Sequence, residues 1–414
     1  MKVTGIKTYI CDAYRTNWVF VKVLTDEGIT GVGEATLEYR EPTVVQAIKE
    51  LERYLVGKDP HNIEAFWSQM YRDAYWRGGV VLMSALAGVE MALWDIKGKA
   101  LGVPVYQLLG GKVRDSIKCY ANAWFAGAKK PEEFATMAKI AVQNGFSGLK
   151  WDPFGKAFMH IEKKDLHEAI DCIAAVKDAV GDQVHLIIEG HGRFNVPTAV
   201  RIGNMLEPFD ILWFEEPIPP DDKEGIAWVR KKIATPVSGG ERLYSRWEYL
   251  DYLRMECADF WQPDVSHAGG ISEVRKIAAM AEAHHIAVCP HNPSGPVANA
   301  ASLQLAACMP NFFLLETTFR TARTSRPKRY ASKTAKCSFP TNPVWAWTST
   351  KTPSPNTPTR PTISATTKAR LRTSAPKAKP SAVTFRRSRA VVGTKKGMGA
   401  SHSFFLCKFF FDII

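Results

Sequence analysis

The chain has 414 residues, 46% of them hydrophobic, which is long enough for a large buried core and more than one domain. Its net charge of +13 divides unevenly: Thr318 to Ile414 holds 20 Lys and Arg against one acid, Asp412, leaving 34 basic and 40 acidic residues in 1–317, so the body is mildly acidic and nucleic acid is not its expected partner. The eight cysteines (11, 119, 172, 257, 289, 308, 337, 407) form no CxxC pair, the start Met1-Lys2-Val3-Thr4-Gly5 carries no secretory apolar stretch, and no run reaches membrane-spanning length, so a reduced, cytoplasmic protein away from membranes is expected.

Residues 1–37 read as a small antiparallel sheet. Val3–Cys11 and Trp18–Leu24 are strand-like, and Asp26-Glu27-Gly28 supplies a turn before Gly31–Ala35. Helical periodicity follows at Thr43–Leu55, Ile63–Tyr75 and Val80–Leu101, with Gly102 placed to end the last helix and Pro104 just beyond. Strands followed by helices, ahead of any βα alternation, mark a separate α+β domain over residues 1–115.

From Ile117 the pattern alternates. Strands are expected at 117–122, 147–151, 185–190, 211–215, 236–241, 259–264, 286–291 and 312–316, with helices between them, clearest at Pro131–Asn144 and Ala169–Val180. Eight strands in parallel order close naturally into a TIM-like (β/α)8 barrel, an α/β fold, over residues 116–317.

At Thr317 the composition changes. Residues 318–414 hold nine prolines and no Glu, and segments such as 348–363 cannot bury enough apolar surface to offset ordering entropy, so disorder is expected. The run Phe404-Phe405-Leu406-Cys407-Lys408-Phe409-Phe410-Phe411 on such an arm is an aggregation liability. A frameshifted or mis-spliced translation accounts for the tail better than a basic nucleic-acid arm does, because acidic residues all but vanish at a single point.

Six residues capable of acid, base or ligand chemistry recur at near-constant spacing: Glu189, Glu215, Glu241, Asp264, His291 and Glu316, with gaps of 26, 26, 23, 27 and 25 residues. That period is one strand plus one crossover helix, and polar residues repeated at strand C-termini mark a barrel active site. Glu189, Glu215 and Glu241 converge on one point, where three like charges need a cation; all-oxygen ligation suits Mg²⁺. Any one of them alone could equally be a strand-end carboxylate paired with Arg193 or Arg242. Alternation lets only one of Glu215 and Glu216 face the axis, without saying which. Asp264 and His291 end adjacent strands, as a carboxylate orienting an imidazole base would. Lys150 puts a cation on the second strand, fit for a substrate carboxylate, and His191 lies just past Glu189 between flexible glycines. His284 and His285 fall on a turn and are expected to be solvated.

This set resembles the enolase superfamily, in its mandelate-racemase-like branch. Ser84-Ala85 through Ala92-Leu93-Trp94-Asp95-Ile96-Lys97-Gly98-Lys99 to Leu108-Leu109-Gly110-Gly111 is similar to that branch's capping-domain signature, and Gln262-Pro263-Asp264 with Gly269-Gly270 to its sixth-strand motif. The resemblance implies Glu189, Glu215 and Glu241 as Mg²⁺ ligands, Asp264–His291 as the general-base dyad, and Glu316 as a hydrogen-bond donor to the substrate carboxylate. Glu189 departs from the commoner Asp. Lys150-Trp151-Asp152-Pro153-Phe154-Gly155 and Glu189-Gly190-His191-Gly192-Arg193-Phe194-Asn195 look like the gluconate and galactonate dehydratases, in which the residue matching His191 protonates the departing hydroxyl. Racemases of the branch carry a second lysine where Asp152 stands.

The expectation is therefore a Mg²⁺-dependent sugar acid dehydratase that forms a homo-oligomer, with Asp152, Arg193, Tyr14 and Arg77 as further substrate contacts. Its rivals are an epimerase or cycloisomerase of the same branch, or an impaired barrel carrying a nucleic-acid-binding tail.

Overall fold

A computed structural model of the chain describes residues 1–13, 16–319 and 336–338, the last three as backbone. Tyr14 and most of the tail expected to be disordered lie outside the described residues.

Strands β1 (Val3–Ala13), β2 (Thr16–Thr25) and β3 (Thr30–Glu34) form an antiparallel sheet in chain order. The helix Val80–Leu101 lies across it, apolar nearly all round, burying Leu86, Val89 and Leu93 against Val19, Val21 and Val23. Contact is backbone to backbone: a Cβ on Gly33 would stand 1.8 Å from the Gly88 carbonyl oxygen, so only glycine allows this approach. Gly102 ends the helix at φ +68°, its N–H returning to the Gly98 and Lys99 carbonyls. The helix expected over Ile63–Tyr75 is interrupted. It runs Ile63–Ser68 and then widens into a π turn, Gln69–Asp73, which buries Met70 and stacks Tyr71 on Trp67 at 5.0 Å.

The second sheet is β4 (Ser116–Asn122), β5 (Gly148–Trp151), β6 (His185–Glu189), β7 (Ile211–Glu215), β8 (Val237–Gly239), β9 (Phe260–Trp261), β10 (Ala287–Val288) and β11 (Leu315–Thr318). Neighbours in sequence pair in parallel from β4 to β10, and β11 pairs with β4. Val288 bridges Phe312 on the run into β11, which closes the ring. A strand β12 (Lys336–Ser338) pairs antiparallel with the first half of β4. β9 and β10 are shorter than the sequence pattern suggests. Pro263 and Pro290 follow them closely and lack the N–H that would continue the ladder.

Side chains alternate across these strands. Tyr120, Ile187, Trp213, Cys289 and Leu314 fill the barrel interior as one cluster. Leu149, Leu186, Ile188 and Phe214 face outward, joining the helices in the main core. Each fully buried side chain of this size contributes about 1.5–3 kcal/mol. Two residues beyond the inner layer the same register delivers Asn122, Glu189, Glu215, His291 and Glu316 to the mouth. The apolar filling of the barrel thus aims the polar groups above it. No described helix is long and apolar enough to cross a membrane.

Candidate active site

Glu189 ends β6, Glu215 ends β7 and Glu241 lies two residues past β8; one carboxylate oxygen from each lies within 4.8 Å of the others. The choice between Glu215 and Glu216 follows from Trp213, which faces the interior and donates its Nε1–H to Glu215 Oε2 at 3.0 Å. Glu216 turns away at φ +37° and pairs with Arg242 through Oε1 and Oε2. That ion pair takes up Arg242, one of the two arginines the sequence offered as partners for these carboxylates. The loop after β6 passes close over this pair: a Cβ on Gly190 would stand 2.7 Å from the Glu216 carbonyl oxygen.

Lys150, at the mouth end of β5, sits among the acids at 2.6 Å from Glu215, 3.3 Å from Glu189 and 3.3 Å from Glu316, all nearly fully buried. Burial works against its ammonium, but Glu215, Glu316, Tyr120 and Glu189 outweigh it and hold its pKa well above the usual lysine value. Burial would also raise the Glu215 carboxyl, yet Lys150 holds it at about 2. Glu189 is pushed well above the carboxylate range by burial and then by the charge on Glu215. Its Oε2 is buried and makes no well-formed hydrogen bond, meeting the Lys150 ammonium at 3.3 Å. One lysine therefore leaves this cluster short of positive charge. Buried, converging, all-oxygen donors with an acceptor that no hydrogen bond satisfies fit a hard divalent cation.

Beside the cluster, His291 Nδ1 meets Asp264 Oδ2 at 2.8 Å, and its Nε2 faces Glu241 at 3.3 Å and Glu316 at 3.9 Å. Burial would lower this imidazole, but Glu241, Glu316 and the Asp264 bond raise it to about 10. Burial would raise Asp264, and His267 first and then His291 hold it below its ordinary value. A second imidazole–carboxylate pair stands at the end of β6. His191, at φ +50°, is about half exposed and places Nδ1 2.7 Å from Asp152 Oδ2.

Glu316 is fully buried and accepts from Asn122 Nδ2 at 2.6 Å and Asn292 N at 3.0 Å. Asp152 and Arg193, expected as substrate contacts, are committed within the protein. Asp152 Oδ1 accepts from Phe154 N, while Oδ2 is shared by His191 and Arg193. Arg193 also donates to the Gly190 and Gly155 carbonyls. Arg77 is exposed on the first domain, its guanidinium 5.9 Å from the Tyr71 ring centroid; Tyr14 lies outside the described residues. His284 and His285 sit exposed on the turn before β10, as expected. Asn122 was missed in the sequence, although it ends the first barrel strand by the same rule that picks out the others. His267 was also missed: it follows Asp264 within a turn, and no periodicity singles it out.

A small α+β cap beside a (β/α)8 barrel, with acids, a lysine and histidine–carboxylate pairs gathered at the strand C-termini, defines a class of barrel enzyme. The chain belongs to the enolase superfamily, in its mandelate racemase/muconate lactonizing enzyme branch. Residues 4–110 match the family described as mandelate racemase/muconate lactonizing enzyme, N-terminal domain, and residues 133–338 match enolase C-terminal domain-like. The chain is 42% identical over 299 residues to a D-gluconate dehydratase of Thermoproteus tenax, covering 72% of this chain and 60% of that protein. It is 42% identical over 316 residues to a D-galactonate dehydratase of Pectobacterium atrosepticum, covering 76% of this chain and 81% of the relative. Among solved structures it resembles a member of the enolase superfamily from Salmonella Typhimurium, at TM-score 0.74 and 34% identity over 77% of this chain and 87% of that one. A mandelate racemase/muconate lactonizing enzyme-like protein from Rubrobacter xylanophilus matches at TM-score 0.71 and 32% identity, over 77% of this chain and 86% of that one.

Proposed function

We propose that the protein is a Mg²⁺-dependent aldonic acid dehydratase, a hydro-lyase that converts a sugar acid to its 2-keto-3-deoxy acid. The observation that carries this reading is the pair of histidine–carboxylate dyads, His291–Asp264 and His191–Asp152, beside one cluster of three carboxylates. An epimerase needs no acid for a leaving group; an elimination needs both a base and an acid. The relatives named D-gluconate and D-galactonate dehydratase supply the substrate class.

Glu189, Glu215 and Glu241 would hold the metal. Bound there, Mg²⁺ supplies charge stabilisation to the substrate carboxylate as C2 loses its proton. The remaining chemistry belongs to side chains. Asp264 fixes Nδ1 of His291, and Glu241, whose charge does most to raise this imidazole, is offset when it holds a cation, freeing the Nε2 lone pair to take the C2 proton. Lys150, and Glu316 when it carries a proton, donate to the carboxylate oxygens on which negative charge accumulates, from positions already fixed by their buried partners. Asp152 holds His191 by Nδ1, which leaves Nε2–H to protonate the C3 hydroxyl. The C3–O bond breaks, water leaves, and the C2–C3 enol takes a solvent proton at C3 to become the ketone. Asp152 thus acts through His191 and not on substrate. A homo-oligomer and a cytoplasmic setting belong to the same reading; the exposed Tyr75 and Trp76, and cysteines that form no disulfide among the described residues, suit them, and sedimentation checks the first. The test of function is a screen of aldonic and aldaric acids for 2-keto acid release with Mg²⁺ and with a chelator. No release from any acid with Mg²⁺ refutes the reading.

A further inference from the structure

Asp264 lies three residues past β9, at the start of a loop gripped from the first domain. Trp67 Nε1 donates to the Gly269 carbonyl at 2.8 Å. The Glu90 carboxylate accepts from Ile271 N at 2.8 Å, Ser272 N at 2.9 Å and Ser272 Oγ at 2.6 Å, capping the helix Ile271–Glu282. A third contact reaches the dyad itself. Ser84 is fully buried in the helix Val80–Leu101, and its Oγ lies 2.9 Å from His267 Nδ1. The other ring nitrogen, Nε2, stands 3.9 Å from Asp264 Oδ2, the oxygen that holds His291 Nδ1 at 2.8 Å. Asp264 Oδ1 is taken by Ser266 N at 2.7 Å.

We propose that Ser84 and His267 are positioning residues, forming a relay by which the docked first domain sets the orientation of the Asp264–His291 base. The physical case rests on what restrains Asp264. One oxygen is fixed by backbone, and the other lies between two imidazoles. His267 cannot move toward or away from it without breaking the bond to Ser84, and Ser84 cannot move without its helix. At 3.9 Å the His267–Asp264 contact is electrostatic and not a hydrogen bond, so its effect is on direction and charge at the carboxylate. A base displaced by about 1 Å loses about a hundredfold in rate, so a restraint of this kind is felt in proton abstraction even though neither residue touches substrate. The inference rests on the dehydratase reading for its kinetic arm and on geometry alone for its spectroscopic arm.

The experiment compares Ser84→Ala, His267→Ala and His267→Gln with Lys276→Met in the full-length protein. Lys276 bridges to Glu64 at 2.6 Å across the same two domains without contacting the dyad, so its variant reports cap docking alone. With Mg²⁺ and an aldonic acid that the wild type turns over, kcat and solvent exchange of the C2 proton should fall about tenfold in Ser84→Ala and about a hundredfold in His267→Ala. KM and Mg²⁺ affinity should stay within about twofold. His267→Gln, whose amide nitrogen reaches close to the Nε2 position, should recover most of the loss, and Lys276→Met should behave as wild type. Without substrate, ¹⁵N spectra of the histidine rings at one fixed pH should show the His291 Nδ1 signal moving in Ser84→Ala, although Ser84 does not touch His291. The relay is overturned if Ser84→Ala and His267→Ala match Lys276→Met in kcat, or if KM and Mg²⁺ affinity worsen in step with kcat. An unmoved His291 signal overturns it as well. If the wild type turns over no aldonic acid, the functional reading has failed and the ring spectra alone decide the relay.

Discussion

Replacing Lys150 by Met tests the charge logic of the site without reference to any substrate. The lysine faces Glu215 at 2.6 Å and Glu189 and Glu316 at 3.3 Å each. At an effective dielectric of about 20 an ionised carboxylate at these distances attracts the ammonium by about 5–6 kcal/mol, which applies to Glu215 and not to Glu189, whose carboxyl is pushed well above the usual range. Desolvation of four buried groups returns most of that, and removing one partner of a buried ion pair costs about 3–5 kcal/mol. Methionine keeps the volume, so the loss isolates charge. Urea unfolding in chelator should show this cost as a lower midpoint at unchanged slope. Saturating Mg²⁺ should then recover more stability in the variant than in the wild type, because it meets carboxylates that no lysine neutralises. A variant as stable as wild type in chelator would refute the assignment of Lys150 as counterion to the cluster. So would a deficit that Mg²⁺ leaves untouched.

The two histidines should separate kinetically. His291→Asn should abolish both turnover and solvent exchange of the C2 proton, whereas His191→Asn should abolish turnover and leave exchange measurable; equal loss of exchange in both, at unchanged Mg²⁺ affinity, contradicts the division into base and acid. Asp95 is raised to about 6, burial lifting it and Lys99 pulling it back. A folded pKa above the unfolded value of about 3.9 means stability fully present below about pH 4 and lost as pH rises through 6, an amplitude of about 3 kcal/mol. Asp95→Asn keeps an acceptor for Val32 N and should flatten that window in unfolding measured from pH 4 to 7; an unchanged slope contradicts it. Gly33→Ala drives a Cβ to 1.8 Å from the Gly88 oxygen and should cost about 3 kcal/mol or more in thermal unfolding, while a neutral effect would mean the helix shifts freely.

The barrel was legible because its period is long and its elements repeat. Strand ends at Glu189 and Glu215 fall within a residue of expectation, since the apolar runs Leu186-Ile187-Ile188 and Leu212-Trp213-Phe214 sit in the sheet. The choice of Glu215 over Glu216 was legible only in part. Alternation demanded one of them, but Trp213 could be seen to face inward only once the ring had closed around it. Asp152 and Arg193 show the opposite limit. Both were expected as substrate contacts, and the fold ties them to each other and to His191, because a loop residue's direction depends on what packs over it and not on spacing. His267 and Ser84 are 183 residues apart, and no local pattern relates a helix of one domain to a turn of another.

The most direct test of the account is turnover of a reactive aldonic acid in D₂O with Mg²⁺, the product read by NMR. Dehydration predicts a 2-keto-3-deoxy acid carrying one solvent deuteron at C3, placed there when the enol ketonises, and no product from the His191→Asn variant. Recovery of the C2 epimer with deuterium at C2 and no keto acid would contradict it, leaving the base assignment standing and the elimination wrong.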